Sequence, residues 1–200
     1  MSDELYKKIA DRYGFTVPDD YRYLESRGLF NINTPSHASE FYKPGSYLWL
    51  NEMEWLPPVE MVKFEFPSYC LPGFLPFAFT GGGDYWCWQV PDRNEGDSRV
   101  VLCHHDSEFA TVYAPNFRTA LFRQAIDFAR EQSDSSDIDA SAFLGRWAVD
   151  LEGIFPALWC EHLRHLAAAT HRGILASNIE QTEISGPQLD TKVRWMSSTA

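Results

Sequence analysis

The sequence predicts an α+β protein, with an antiparallel sheet of mixed-length strands packed against helices and a mainly helical C-terminal extension. Three observations carry this. Apolar stripes at helical spacing occupy residues 3–28 and 116–130, and short aromatic and aliphatic runs fill the stretch between them. A wholly polar segment, Glu131–Asp137, then separates that block from a second helical pattern. Strands grouped between helices, not alternating with them, argue for an antiparallel sheet under one helical layer.

Residues 3–13 place Leu5, Tyr6, Ile9, Ala10 and Tyr13 on one stripe with charges opposite, the pattern of an amphipathic helix. Gly14 ends it as a C-terminal cap. Pro18 suits the first position of a second helix, and Asp19 and Asp20 complement its positive N-terminal dipole. Tyr21 and Leu24 would face the core, and Arg27-Gly28 closes the helix. Tyr47-Leu48-Trp49-Leu50 and Met53-Glu54-Trp55-Leu56 are short apolar runs, the second stopped by Pro57-Pro58.

Leu75–Phe79 and Tyr85–Val90 read as two strands joined by the tight connection Gly81-Gly82-Gly83-Asp84. After a polar turn from Pro91 to Ser98, Arg99–His104 is a further strand rich in β-branched residues, and Phe109–Tyr113 adds another. Phe117, Leu121, Ala125 and Phe128 mark the next helix. The expected division is residues 1–133 as the α+β domain and 134–200 as the extension. The latter has a short apolar segment (Ile138–Val149), a helix from Pro156 with Leu158, Trp159, His162, Leu163, Leu166 and Ala169 on one broad face, and a last strand within Leu189–Met196. About sixty residues make a marginal independent core, so the extension is expected to pack on the main domain or on a second chain.

The net charge of −11 disfavours phosphate backbones and anionic membrane surfaces and would steer in a basic protein. No stretch approaches the roughly 20 consecutive apolar residues that span a bilayer. The charged N-terminus does not read as a signal peptide, which points to the cytoplasm. Cys70, Cys87, Cys103 and Cys160 are too few for a disulfide scaffold and wrongly spaced for zinc, so buried thiols are expected.

Gly81–Asp84 is not a phosphate loop, because a strand follows where such loops need a helix. Its glycines would instead supply positive φ in a sheet connection. Cys103-His104-His105-Asp106 offers four ligand types in a row, but adjacent strand residues point to opposite faces. Glu161, His162 and His165 share helical spacing, yet the order Glu-His-x-x-His moves the carboxylate off the general-base position of a zinc protease helix. No catalytic residue, metal or cofactor is expected. Glu52, Glu54, Glu60 and Glu65 crowd a segment that also holds Trp49, Trp55, Phe64 and Phe66. Acids beside aromatic anchors are interface chemistry, so Glu52, Glu54, Trp55, Glu60 and Glu65 are the candidate partner-binding residues.

The order of these motifs resembles the SUKH superfamily (Smi/Knr-like domains). Gly14-Phe15, then Val17-Pro18-Asp19-Asp20-Tyr21 and Leu24, is similar to the start of that domain. Leu48-Trp49-Leu50 and Glu54-Trp55 look like its next strands. Phe77-Ala78 through Gly83-Asp84-Tyr85, Val100-Val101, and Ala114-Pro115-Asn116-Phe117 with Leu121 look like its later elements. Arg27 stands where Asn is usual, and Asn116 where Ser is common. The resemblance spans about residues 3–130 and makes Gly81, Gly82, Gly83 and Asp84 the structural family marker.

It implies an α+β fold without general catalytic activity. Bacterial members are mostly immunity proteins that bind and block toxins, often nucleases, and fungal relatives regulate the cell wall and signalling. The expected function is therefore a cytoplasmic, non-enzymatic immunity-type module that neutralises a partner toxin, such as a basic nuclease, through an acidic surface. The alternatives are a metal-dependent hydrolase built on Glu161, His162 and His165, or a regulatory scaffold acting as a homodimer.

Overall fold

The computed structural model of the chain describes residues 2–30, 53–90, 98–132, 140–168 and 190–197. By internal contacts the chain divides into two compact units. The first is Met1–Tyr23, Glu52–Ala120 and Gly186–Ala200; the second is Leu24–Asn51 and Leu121–Ser185.

The first unit holds the sheet. Helix α1 (Ser2–Tyr13) has acidic residues in its first turn, and α2 (Asp19–Ser26) opens on Asp19 and Asp20. At the end of α1 the Gly14 amide donates to the Ala10 carbonyl at 2.8 Å with φ +63°, a left-handed cap that favours glycine. Strand β1 (Glu54–Trp55) is followed by a short helix, α3 (Pro58–Lys63), and then by β2 (Phe74–Phe79), β3 (Tyr85–Gln89), β4 (Val100–Cys103) and β5 (Phe109–Ala114). The first turn of α4 (Phe117–Gln132) and the late strand β6 (Lys192–Arg194) complete the unit. Among the described residues the sheet has six strands in the order β1-β2-β3-β4-β5-β6, each antiparallel to its neighbour.

An aromatic core lies on one side of this sheet. Tyr21 packs edge-on against Trp88 (5.3 Å between ring centroids), Phe117 (5.6 Å) and Trp55 (6.4 Å), and Phe77 lies 4.5 Å from Trp88. Burying one such ring contributes roughly 1.5–3 kcal/mol, and edge-to-face pairs add to that. The Tyr21 hydroxyl donates to the Leu56 carbonyl at 2.9 Å, so its polar end is satisfied inside the core.

The other side is covered too. Phe74, Cys87, Val101, Cys103, Ala110, Val112 and Trp195 form a second buried cluster, flanked by half-buried Phe66, Tyr85 and Val193. A sheet covered on both faces explains why β2 and β3 read as nearly unbroken apolar runs instead of alternating.

The second unit is helical in its described part. It comprises the end of α2 from Leu24, α4 from Leu121, α5 (Ala140–Asp150) and α6 (Ala157–Ala168). Phe122 stacks on Trp159 at 4.4 Å and meets Phe155 edge-on; Phe128 contacts Trp147 at 5.0 Å and Phe143 at 5.6 Å. Asp150, almost fully buried, takes a 2.7 Å hydrogen bond from Arg146 one turn earlier.

Three differences from the sequence reading follow. Pro57-Pro58 does not merely stop a strand: Pro58 is the first residue of α3, where its missing amide costs nothing. Leu158 does not join the buried face of α6. That face is Cys160, Leu163 and Leu166, and Leu158 is 72% exposed on the other side of the helix. The linear boundary expected after Ser133 and the division by contacts fall in different places, because α4 from Leu121 packs with the extension's helices and β6 returns to the sheet. The runs Tyr47–Leu50 and Pro91–Asp97, with Ala169, lie outside the described residues.

Candidate partner-binding face

One row of paired residues crosses the whole sheet. Glu54 pairs with Phe79, Phe79 with Tyr85, Tyr85 with Cys103, Cys103 with Ala110, and Ala110 with Val193. Directly paired residues project to the same face. Glu54, at the β1 edge, is therefore the exposed acidic end of a row whose interior is apolar.

The chain leaving α3 lays two further rings along this row. Phe64 turns to extended backbone (φ −61°, ψ 132°), which puts Phe64 and Phe66 on one side of the segment and Glu65 on the other. Phe64 and Phe66 lie 4.8 Å apart and contact Tyr85 at 5.6 and 5.5 Å; Phe79 meets Tyr85 at 5.5 Å. All four rings are half-buried, while Glu65 and Glu60 are exposed. The segment is held by α1. Arg12 donates to the Val62 carbonyl and, at 2.8 Å, to that of Phe64, and the Tyr13 hydroxyl donates to the carbonyls of Met61 (3.3 Å) and Phe64 (3.2 Å).

The glycine connection sits beside this face. A Cβ placed on Gly81 would stand 3.9 Å from the Glu54 carboxylate, which locates the acid over the turn. Asp84 ties the turn to the next hairpin. Its Oδ1 accepts from the His105 amide at 3.0 Å and from the His105 ring at 2.7 Å, and Oδ2 lies 3.3 Å from His104 Nδ1. The Asp84 amide donates to Thr80 Oγ1 at 3.0 Å, and His104 Nε2 reaches Thr111 Oγ1 at 3.2 Å. Burial acts to raise the Asp84 carboxyl, but the hydrogen bonds from the His105 amide and ring and from His104 outweigh it and hold the group below its ordinary value. Hydrogen bonding to Asp84 raises His105 above the ordinary imidazole range.

The sequence-derived residues are thus placed as follows. Glu54, Glu60 and Glu65 are exposed on β1, α3 and the segment after it. Trp55, adjacent to Glu54 and projecting to the opposite face, is 8% exposed in the aromatic core, against Phe77 and Phe117. Glu52 lies outside the described residues. Sequence reasoning missed Phe79 and Tyr85 as parts of this face. The available signal was their position as last and first strand residues around the glycine turn, which makes them cross-strand partners.

His104 and His105 are engaged by Asp84. On α6, Glu161 and His165 are exposed, and His162 is half-buried and pushed below the ordinary imidazole value by burial and by the His165 charge. No group of three or more His, Cys, Asp or Glu side chains among the described residues could hold a metal ion. All four cysteines are free thiols, three of them buried. No helix among the described residues is long and apolar enough to cross a membrane.

The face thus combines a sheet with its aromatic layer, an Asp84-clamped glycine turn and exposed carboxylates at its rim. The chain belongs to the SMI1/KNR4 family (SUKH-1), whose model matches residues 1–123. No curated protein matches the chain, and no solved structure does.

Proposed function

We propose that this chain is a non-enzymatic, cytoplasmic protein-binding module of the immunity type, which binds and neutralises a partner toxin through the face around Glu54, Glu60 and Glu65. The supporting observation is the row Glu54–Phe79–Tyr85 with Phe64 and Phe66 laid beside it. It sets half-buried rings next to exposed carboxylates. Rings at the centre of an interface supply burial area and anchoring, and charges at its rim steer encounter and register. With a net charge of −11, the fitting partner is basic, as a nuclease that holds phosphates would be. The SUKH-1 assignment is compatible with this role and equally with a regulatory one.

Calorimetric titration of the chain against toxins encoded beside its gene tests the reading. Binding that weakens in Glu54→Lys and Glu65→Lys, and weakens with added salt, is the expected result. No binding to any neighbouring toxin overturns the immunity role, and binding unaffected by both substitutions overturns the choice of face.

A further inference from the structure

The C-terminal segment Asp190–Ser197 lies beyond the family-matched residues 1–123, yet it is inserted between the β5 edge and the turn at residues 67–71, both of which belong to them. On one side it pairs with β5: Phe109 opposite Arg194, Ala110 opposite Val193, Thr111 opposite Lys192. The Trp195 amide extends that edge by donating to the Glu108 carbonyl at 2.9 Å; the Val112 amide donates to the Thr191 carbonyl and the Asp190 amide to the Val112 carbonyl, each at 2.8 Å. On the other side, the Leu71 amide donates to the Trp195 carbonyl and the Ser197 amide to the Tyr69 carbonyl, each at 2.7 Å, and Cys70 bridges to Met196.

Side chains along the segment alternate. Val193 and Trp195 enter the buried cluster, while Lys192 and Arg194 face solvent. Trp195 is 1% exposed. Its ring lies 5.9 Å from Tyr85 and 6.0 Å from Phe66, and its indole N–H donates to the Ser107 carbonyl at 2.7 Å. Arg194 pairs with Glu108 at 3.0 Å and covers the Phe109 ring. Main-chain pairing with every second side chain pocketed is how a sheet recognises an extended peptide. A fully buried Trp with its N–H satisfied is the kind of anchor that dominates such binding.

We propose that residues 69–71, 107–112 and the cluster beneath them form a receptor groove for an extended peptide of the pattern Val-x-Trp, and that residues 190–197 are its tethered ligand. The groove and its ligand are joined only through the second unit, since Leu121–Ser185 lies between them in the chain. The segment therefore holds its place by groove contacts, not by a short turn. A peptide of the same sequence supplied in trans competes for the same site.

The test uses the full chain and a fluorescein-labelled peptide of residues 190–197, followed by anisotropy. Two variants loosen the tether in different ways. Trp195→Ala removes the anchor, and Arg194→Glu sets like charge against Glu108 at the exposed edge without touching the core. Both should capture the peptide at concentrations where the wild-type chain, its groove filled, does not. A peptide carrying Ala in place of its Trp should bind at least about tenfold more weakly. Arg194→Glu keeps the question open to decision if Trp195→Ala fails to fold. Failure of a folded Arg194→Glu chain to bind any peptide overturns the proposal, as does equal binding of the two peptides.

Discussion

Asp84 Oδ1 accepts two hydrogen bonds from a single residue, the amide of His105 at 3.0 Å and its ring Nδ1 at 2.7 Å. This pair joins the β2–β3 turn to the β4–β5 hairpin, so the aspartate that closes the glycine run is a clamp between two loops. Asp84→Ala leaves the His105 amide without its acceptor and unties both loops. A loss of roughly 1–2 kcal/mol in urea unfolding is expected, at the low end because the site is part-exposed.

The clamp has a pH window. Asp84 is held below its ordinary carboxyl value in the folded state, so its contribution is present above that ordinary value and is lost as pH falls through the folded one. His105 is raised, so its contribution is complete below the ordinary imidazole value and fades as pH rises through the folded one. The stability difference between wild type and Asp84→Asn should peak in mildly acidic solution and shrink on both sides. A difference that stays flat from about pH 2.5 to about pH 9, a range that encloses both groups' ordinary values, contradicts the clamp.

The three glycines before it are not equivalent. Gly83 has φ +91°, outside the range a side chain tolerates, whereas Gly81 and Gly82 have ordinary φ and only van der Waals contact awaits an added Cβ, at 3.9 and 3.6 Å. Gly83→Ala should cost about 1–3 kcal/mol and Gly81→Ala or Gly82→Ala well under 1 kcal/mol, as read from thermal unfolding.

Glu54 and Trp55 are chain neighbours with opposite fates, and substitution should separate them. Trp55→Ala empties part of the aromatic core and should destabilise by about 3–5 kcal/mol. Glu54→Lys alters an exposed charge and should change stability by no more than about 0.5 kcal/mol while weakening a basic partner. Denaturant midpoints measured beside binding isotherms distinguish the two effects.

Tyr21→Phe tests the polar end of the same core. It keeps the ring stack and removes only the hydroxyl that satisfies the Leu56 carbonyl at 2.9 Å. A loss of about 1–2 kcal/mol without change in the unfolding slope is the expected outcome in a urea titration.

Much of the fold was legible because its signals are local. The stripe containing Tyr21 and Leu24 predicted two residues that are fully buried, and Phe117, Leu121, Ala125 and Phe128 all lie inside. The turn residues at Gly81–Asp84 predicted the β2–β3 hairpin, and the order of motifs predicted the family that residues 1–123 match. Helix α3 went unread because two prolines look like a stop until the first of six helical residues is recognised among them.

By itself, then, the sequence determined the class of fold, the longer amphipathic helices at 3–13 and 116–130, the glycine turn and the acidic charge, since period, turn chemistry and composition act over a few residues. Only the tertiary structure decided which side each residue serves. It sent Trp55 inward and left Glu54 at the rim, and it gave Asp84 its work on a hairpin twenty residues away. It also brought Trp195 back to fill the far face of the sheet. Those outcomes depend on strand register and long-range pairing, which no local pattern encodes: a shift of one residue would exchange the two faces of every strand.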